Sequence, residues 1–243
     1  MPERDRLVLW DVDHTLINAG GLSAHLYGVV FRQLFGRELR RAAPMAGRTD
    51  RAIILDTLTL AGIAEPARHV CEFARGLARE APEFGRRVRE RGHALPGAVA
   101  ALRALADAGN SRGVVQSVLT GNVRALAEVK LGALGLVSYL DMDVGAYGDA
   151  HEVRAELVTV ARRRATRAYL REFPGEMTVL VGDTPLDVEA ARATGARAVG
   201  VATGASSPGD LAAAGAHAVL PDLTETAAVV AAVLGQLRHA RQQ

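Results

Sequence analysis

The chain has 243 residues, 49% of them apolar and 4% aromatic, with 29 basic and 27 acidic side chains and a formal net charge of +2. That length suits one large domain, or a domain with an insertion. No apolar run is long enough to span a bilayer, and spread arginines with sparse aromatics lack the basic face or stacking platform of a nucleic-acid binder. The single cysteine, Cys71, excludes an intramolecular disulfide framework and fits a reducing cytoplasm, where it is expected as a small buried residue. Met1-Pro2-Glu3-Arg4-Asp5-Arg6 is charged and does not read as a signal peptide.

Leu7-Val8-Leu9-Trp10 is a continuous apolar run, the pattern of a strand buried on both faces of a parallel sheet. It ends in Asp11-Val12-Asp13-His14-Thr15-Leu16, whose two acids begin on one side of the strand. Anions held that close repel, and a cation, a shared proton or both relieve the repulsion. Asn18-Ala19-Gly20-Gly21 is a turn cluster. From Leu22 to about Gly92 the apolar spacing is helical, with Leu26, Val29, Val30 and Leu34, then Ile53, Ile54 and Leu58, then Val70, Phe73 and Leu77. Breaks are expected at Pro44–Gly47, near Gly62 and around Pro82. Residues 18–92 therefore read as a helical insertion, placed as a mobile cover would be, and 1–17 with 93–243 as the core.

Strand and helix alternate after Leu95-Pro96-Gly97. A helix over Ala98–Ala108 stops at Gly109-Asn110, and a strand over Gly113–Leu119 ends in Thr120-Gly121-Asn122. A helix follows to Leu131, then a short strand over Tyr139–Val144 and a helix from Glu152 to about Leu170, capped by Asp149. A strand over Thr178–Val181 ends in Gly182-Asp183-Thr184-Pro185-Leu186-Asp187, followed by a helix over Val188–Thr194. Short strands at Ala198–Val201 and Ala218–Leu220 flank a helix near Leu211, and a last helix runs from Thr224 to about Arg238. This alternation predicts an α/β fold, a Rossmann-like parallel sheet with helices on both faces.

Three strand ends carry polar residues that could converge where open α/β sheets bind ligands: Asp11, Asp13 and Thr15; Thr120 with the amides of Gly121 and Asn122; and Asp183 with Asp187. Each alone has an ordinary reading as a helix cap or first-turn acid. Together they do not. Asp141 and Asp143 are read as strand-edge acids, and the scattered histidines lack zinc spacing.

Asp11-Val12-Asp13-His14-Thr15-Leu16 and Gly182-Asp183-Thr184-Pro185-Leu186-Asp187 resemble the Asp-x-Asp-x-Thr signature and acidic metal motif of the haloacid dehalogenase-like (HAD) hydrolases. Gly47-Arg48-Thr49-Asp50 and Gly200-Val201-Ala202-Thr203-Gly204 make the chain look most like the phosphoglycolate phosphatase type. The resemblance implies a helical cap and a Mg2+-dependent phosphatase acting on a small phosphorylated metabolite. It implies Asp11 as nucleophile, Asp13 as acid and base, and Thr120, Gly121 and Asn122 around the phosphoryl group. Mg2+ would lie among Asp11, the Asp13 carbonyl, Asp183 and Asp187.

The family usually has a lysine before the metal motif. Here Lys130 falls too early and reads as a solvated helix residue, and Arg154 stands in the lysine's place, able to grip an anion but not to lose its proton. His14 occupies a position where many relatives have glycine. Arg48 is a candidate for a distal anion of the substrate, which could be phosphoglycolate, a sugar phosphate or a nucleotide. A phosphomutase and a non-catalytic phospho-ligand-binding module are the competing readings. A dehalogenase is disfavoured, because it would not need Asp13. Oligomeric state has no signature in the sequence.

Overall fold

The computed structural model describes residues 6–235, with the backbone alone at 109–112. Its centre is a sheet of five strands in the order β4-β1-β5-β6-β7, all parallel. These are β1 (Arg6–Trp10), β4 (Val114–Val118), β5 (Thr178–Gly182), β6 (Arg197–Val201) and β7 (Ala218–Leu220). A small antiparallel pair, β2 (Ile17–Asn18) and β3 (His93–Ala94), stands apart from the sheet.

β1 shows why the strands form where they do. Val8 and Trp10 face one core with α4 (Ala98–Arg112), α5 (Arg124–Ala133) and α9 (Thr226–Leu234). Leu7 and Leu9 face the other, with α6 (Arg154–Tyr169), α7 (Pro185–Ala193) and α8 (Pro208–Ala213). A strand covered on both sides has no use for polar alternation, so its sequence is an unbroken apolar run. The chain leaves β1 for β4 on one side and later reaches β5 on the other. The carboxyl end of β1 is thus a switch point, the place where such sheets open a crevice.

Between β2 and β3 lie α1 (Leu22–Phe35), α2 (Asp50–Leu60) and α3 (Val70–Arg91). They share a third core, which Val123 and Leu126 at the start of α5 also enter. α3 runs unbroken through Pro82, against the expected break. Its buried stripe, Phe73, Leu77, Ala81, Phe84 and Val88, explains this. A buried Leu or Phe contributes about 1.5–3 kcal/mol, so several outweigh the roughly 3 kcal/mol cost of one interior proline.

Four other expectations need correction. The strand over Tyr139–Val144 is absent: Val137–Tyr139 is a single 3-10 turn, and only Leu119 and Ala146 make an isolated bridge. Asp141 Oδ1 instead accepts from the Asp143 amide at 3.0 Å, a turn that competes with strand pairing. α6 begins at Arg154 rather than after an Asp149 cap, because Glu152 is turned to Arg51 Nε, 3.0 Å away. α4 passes Gly109 and continues to Arg112. Cys71 is exposed at the start of α3, not buried. The expected end of the last helix at Arg238 lies outside the described residues. Among those described, no helix is long and apolar enough to cross a membrane.

Candidate active site

The ends of β1, β4 and β5 meet beneath the helices. Asp11, the first residue after β1, is 6% exposed. Its Oδ1 accepts from Arg154 Nη2 at 2.7 Å, and the same guanidinium lies 2.6 Å from Asp187 Oδ1. Thr15 Oγ1 sits between Asp11 Oδ2 at 3.5 Å and Asp183 Oδ1 at 3.4 Å. Arg154 is at the first turn of α6, and burial tends to lower its pKa, but the charges of Asp187 and Asp11 dominate and raise it. It is a permanent cation in this site.

Oxygens of Asp11, Asp183 and Asp187 lie within 4.8 Å of one another. Burial lifts the Asp11 carboxyl well above the usual carboxylate range; Arg154 opposes this, and Asp187 and Asp183 reinforce it. Burial, then Asp187, pushes Asp183 up to about 7. Three acids against one guanidinium leave a surplus of negative charge. The donors are all hard oxygens, a set that suits Mg2+ or another hard divalent cation rather than zinc. Asp187 is largely committed elsewhere. Its Oδ2 accepts from the Thr184 amide at 3.1 Å and hydroxyl at 2.7 Å, closing the capping box of α7, while Oδ1 takes Arg154. Asp11 and Asp183 are therefore the better placed ligands, with Asp187 bracing Arg154 and the helix.

Asp13 lies apart from that group. Lys130 Nζ donates to its Oδ1 and Oδ2 at 2.9 and 2.7 Å and to Asn122 Oδ1 at 2.7 Å. The reading of Lys130 as a solvated residue is wrong: it is 1% exposed. Burial alone would raise Asp13, but the Lys130 charge and hydrogen bond, with Asn122, hold it below its usual value. A signal existed in the sequence, because Lys130 falls on the buried stripe of α5 with Leu126, Ala127 and Leu131. Asn122 Nδ2 donates to Thr120 Oγ1 and to Asp13 Oδ2, both at 2.7 Å, and the second bond ties the end of β4 to that of β1. Between them, His14 has φ of 61° and an exposed side chain, while its carbonyl accepts from Thr203 Oγ1 at 2.5 Å. A left-handed turn explains why glycine would serve there.

These groups open into a cavity of about 300 Å³, roofed by Leu26, Tyr27, Met45, Arg48, Asp50 and Ile53. Arg48 lines it, yet its guanidinium is held by Asp56 at 2.6 Å and the Pro44 carbonyl at 3.2 Å. Asp50 escaped assignment in the sequence. Its carboxylate accepts from Tyr27 Oη and the Val123 amide, both at 2.7 Å, and its own amide donates to the Gly121 carbonyl at 2.6 Å. Burial pushes it up to about 6 against those hydrogen bonds. The start of α2 is thereby fastened to the loop after β4.

A family model described as haloacid dehalogenase-like hydrolase matches residues 8–192. No curated protein matches the chain. Among solved structures, a predicted phosphatase from Clostridium acetobutylicum is 17% identical with a TM-score of 0.66, over 93% of this chain and 99% of the other. A predicted phosphoglycolate phosphatase from Haemophilus somnus is 15% identical with a TM-score of 0.62, over 95% and 99%. A candidate β-phosphoglucomutase from Bacteroides vulgatus is 15% identical with a TM-score of 0.65, over 97% and 91%. At such identities the structures speak for the fold alone. The family match, running from β1 into α7 across every strand end described above, says more: the chain belongs to the haloacid dehalogenase-like hydrolases.

Proposed function

We propose that the protein hydrolyses a small phosphomonoester with Mg2+, through an aspartyl-phosphate formed on Asp11. The observation that carries this reading is the convergence of Asp11, Asp13, Thr120 and Asp183 at three neighbouring strand ends, with Arg154 from the start of α6 among them. Asp11 attacks phosphorus as the ester P–O bond breaks, and Asp13, ionised at rest beside Lys130, passes to the departing oxygen a proton it has first taken up from solvent. Asp13 then takes a proton from water, which attacks phosphorus and frees Asp11 with release of phosphate. Thr120 and the amides of Gly121 and Asn122 cradle the phosphoryl oxygens, at a loop followed by a helix N-terminus. Arg154 orients Asp11 and opposes charge on the transferring group. Asp11, the Asp13 carbonyl and Asp183, supported by Asp187, would hold Mg2+, which would supply charge neutralisation for the phosphoryl oxygens. Residues 18–92 serve as the cap over a core of 1–17 and 93–243.

A volume of about 300 Å³ stands at the low end of small-molecule sites, favouring a small metabolite over a nucleotide. Arg48 would reach a distal anion only by leaving Asp56, an exposed pair that is cheap to break. The test is phosphate release from a panel of phosphomonoesters, phosphoglycolate included, with Mg2+ and with EDTA. Release should require Mg2+, and Asp11→Asn should lower turnover by at least about a thousandfold with the fold retained. Unchanged turnover in that variant would sink the reading. Conversion of a sugar phosphate to its isomer, in place of phosphate release, would favour the mutase.

A further inference from the structure

We infer that Lys130 is a positioning residue for Asp13, assigning it to proton transfer and keeping it out of the metal-binding acids; this rests on the phosphatase reading. Four acids crowd the end of β1 and β5, and they divide into two sets with separate countercharges. Asp11, Asp183 and Asp187 gather around Arg154. Asp13 has Lys130 to itself, with Nζ on both carboxylate oxygens at 2.9 and 2.7 Å.

The ammonium has three donors, and Asp13 Oδ1, Asp13 Oδ2 and Asn122 Oδ1 use all of them. Asn122 Nδ2 closes the triangle on Asp13 Oδ2 at 2.7 Å. A carboxylate gripped at both oxygens by two separate side chains cannot rotate freely toward Asp11 and Asp183. Lys130 itself does not line the cavity; the Phe84 ring of α3 covers it, 5.6 Å from Nζ. It is the only lysine in the chain, and it reaches the substrate only through Asp13 and, by one hydrogen bond, Asn122.

The test uses leaving groups that differ in their need for a proton. p-Nitrophenolate leaves unaided, whereas an alkoxide such as that of glycerol phosphate needs one. First-turnover rates of enzyme phosphorylation would be measured with Mg2+ for both esters, in wild type, Lys130→Met and Lys130→Gln. Loss of the Lys130 charge by itself favours the protonated acid, but an unheld Asp13 no longer faces the leaving oxygen. Lys130→Met should therefore slow the glycerol ester by about a hundredfold and the nitrophenyl ester by less than about fivefold, at the low end of general acid catalysis. Lys130→Gln, which keeps two neutral N–H donors but loses the charge, should fall between. Equal slowing of both esters would overturn the proposal, because a merely structural residue spares neither. No slowing would overturn it as well. If neither variant folds, Lys130 is a structural residue and the proposal fails. A wild type inert on both esters would instead defeat the phosphatase reading, and the proposal with it.

Discussion

Asp11 and Asp183 are both raised, chiefly by burial, and both bind protons in the folded state that the unfolded chain would release. A raised acid contributes stability that is complete below its unfolded value and is lost as pH climbs through the folded one. For Asp183 that window runs from the ordinary 3.8 up to about 7. Asp13, held below its usual value by Lys130 against burial, works the other way and loses its contribution only in acid. In EDTA, Tm should therefore be lower at about pH 8 than at about pH 5.5. Mg2+ replaces those protons as the countercharge, so adding it should raise Tm most at the higher pH. Thermal melts at both pH values, with and without Mg2+, check this; an Mg2+ effect equal at both would refute it.

The elements were legible to unequal degrees, and the reason is physical. β1 stood out because two-sided burial writes an unbroken apolar run over Leu7–Trp10, whereas β4 carries Gln116 and Ser117, buried and hydrogen-bonded, within its run. The segment over 139–144 misled because it shares with β4 a single backbone-to-backbone hydrogen bond, Asp141 amide to Gln116 carbonyl at 2.8 Å, while its acids are taken by the Asp143 amide, Arg124 and Tyr169. Motif residues at strand ends could be named, but their partners could not. Lys130 reaches Asp13 across 117 positions, and no local pattern encodes that meeting. Pro82 misled in the opposite sense, since propensity forecast a break that tertiary burial overrode. It occupies an exposed position inside α3. Pro82→Ala restores an amide donor to a helix that exists anyway, at some loss of unfolded-state restriction. A gain of about 1–3 kcal/mol is expected, which for a chain of this length is several degrees in Tm. A lower Tm would mean that the proline shapes α3 for its packing.

At the scale of the whole molecule, the cavity lies between the helices α1–α3 and the ends of the sheet, and the seam is closed by backbone. The Asp50 amide donates to the Gly121 carbonyl at 2.6 Å and the Arg51 amide to the Gly148 carbonyl at 3.2 Å. Thr49 Oγ1 adds a bond to the Glu152 carbonyl at 3.0 Å. Both chain connections between the helices and the sheet pass through the short β2–β3 pair; on the proposed reading of residues 18–92 as a cap, opening would hinge there with loss of the seam bonds. Such an approach of two backbones requires that side chains be absent. A Cβ on Gly148 would lie 1.7 Å from the Gly121 carbonyl oxygen and 2.8 Å from the Asp50 amide, and a Cβ on Gly121 would lie 1.9 Å from the Arg48 carbonyl oxygen. Backbone atoms cannot swing aside as the tip of a side chain can. Gly148→Ala must therefore push back the Gly121 carbonyl and, through the Asp50 amide bonded to it, the start of α2, holding the seam ajar. It should raise KM about tenfold or more and destabilise the protein by about 1–3 kcal/mol, the usual cost of overpacking. Gly132→Ala is the control, since its Cβ would meet only a Val137 methyl at 3.9 Å. If both variants bind substrate like the wild type, the seam is not what closes over it, and the helices cover the site by some other route.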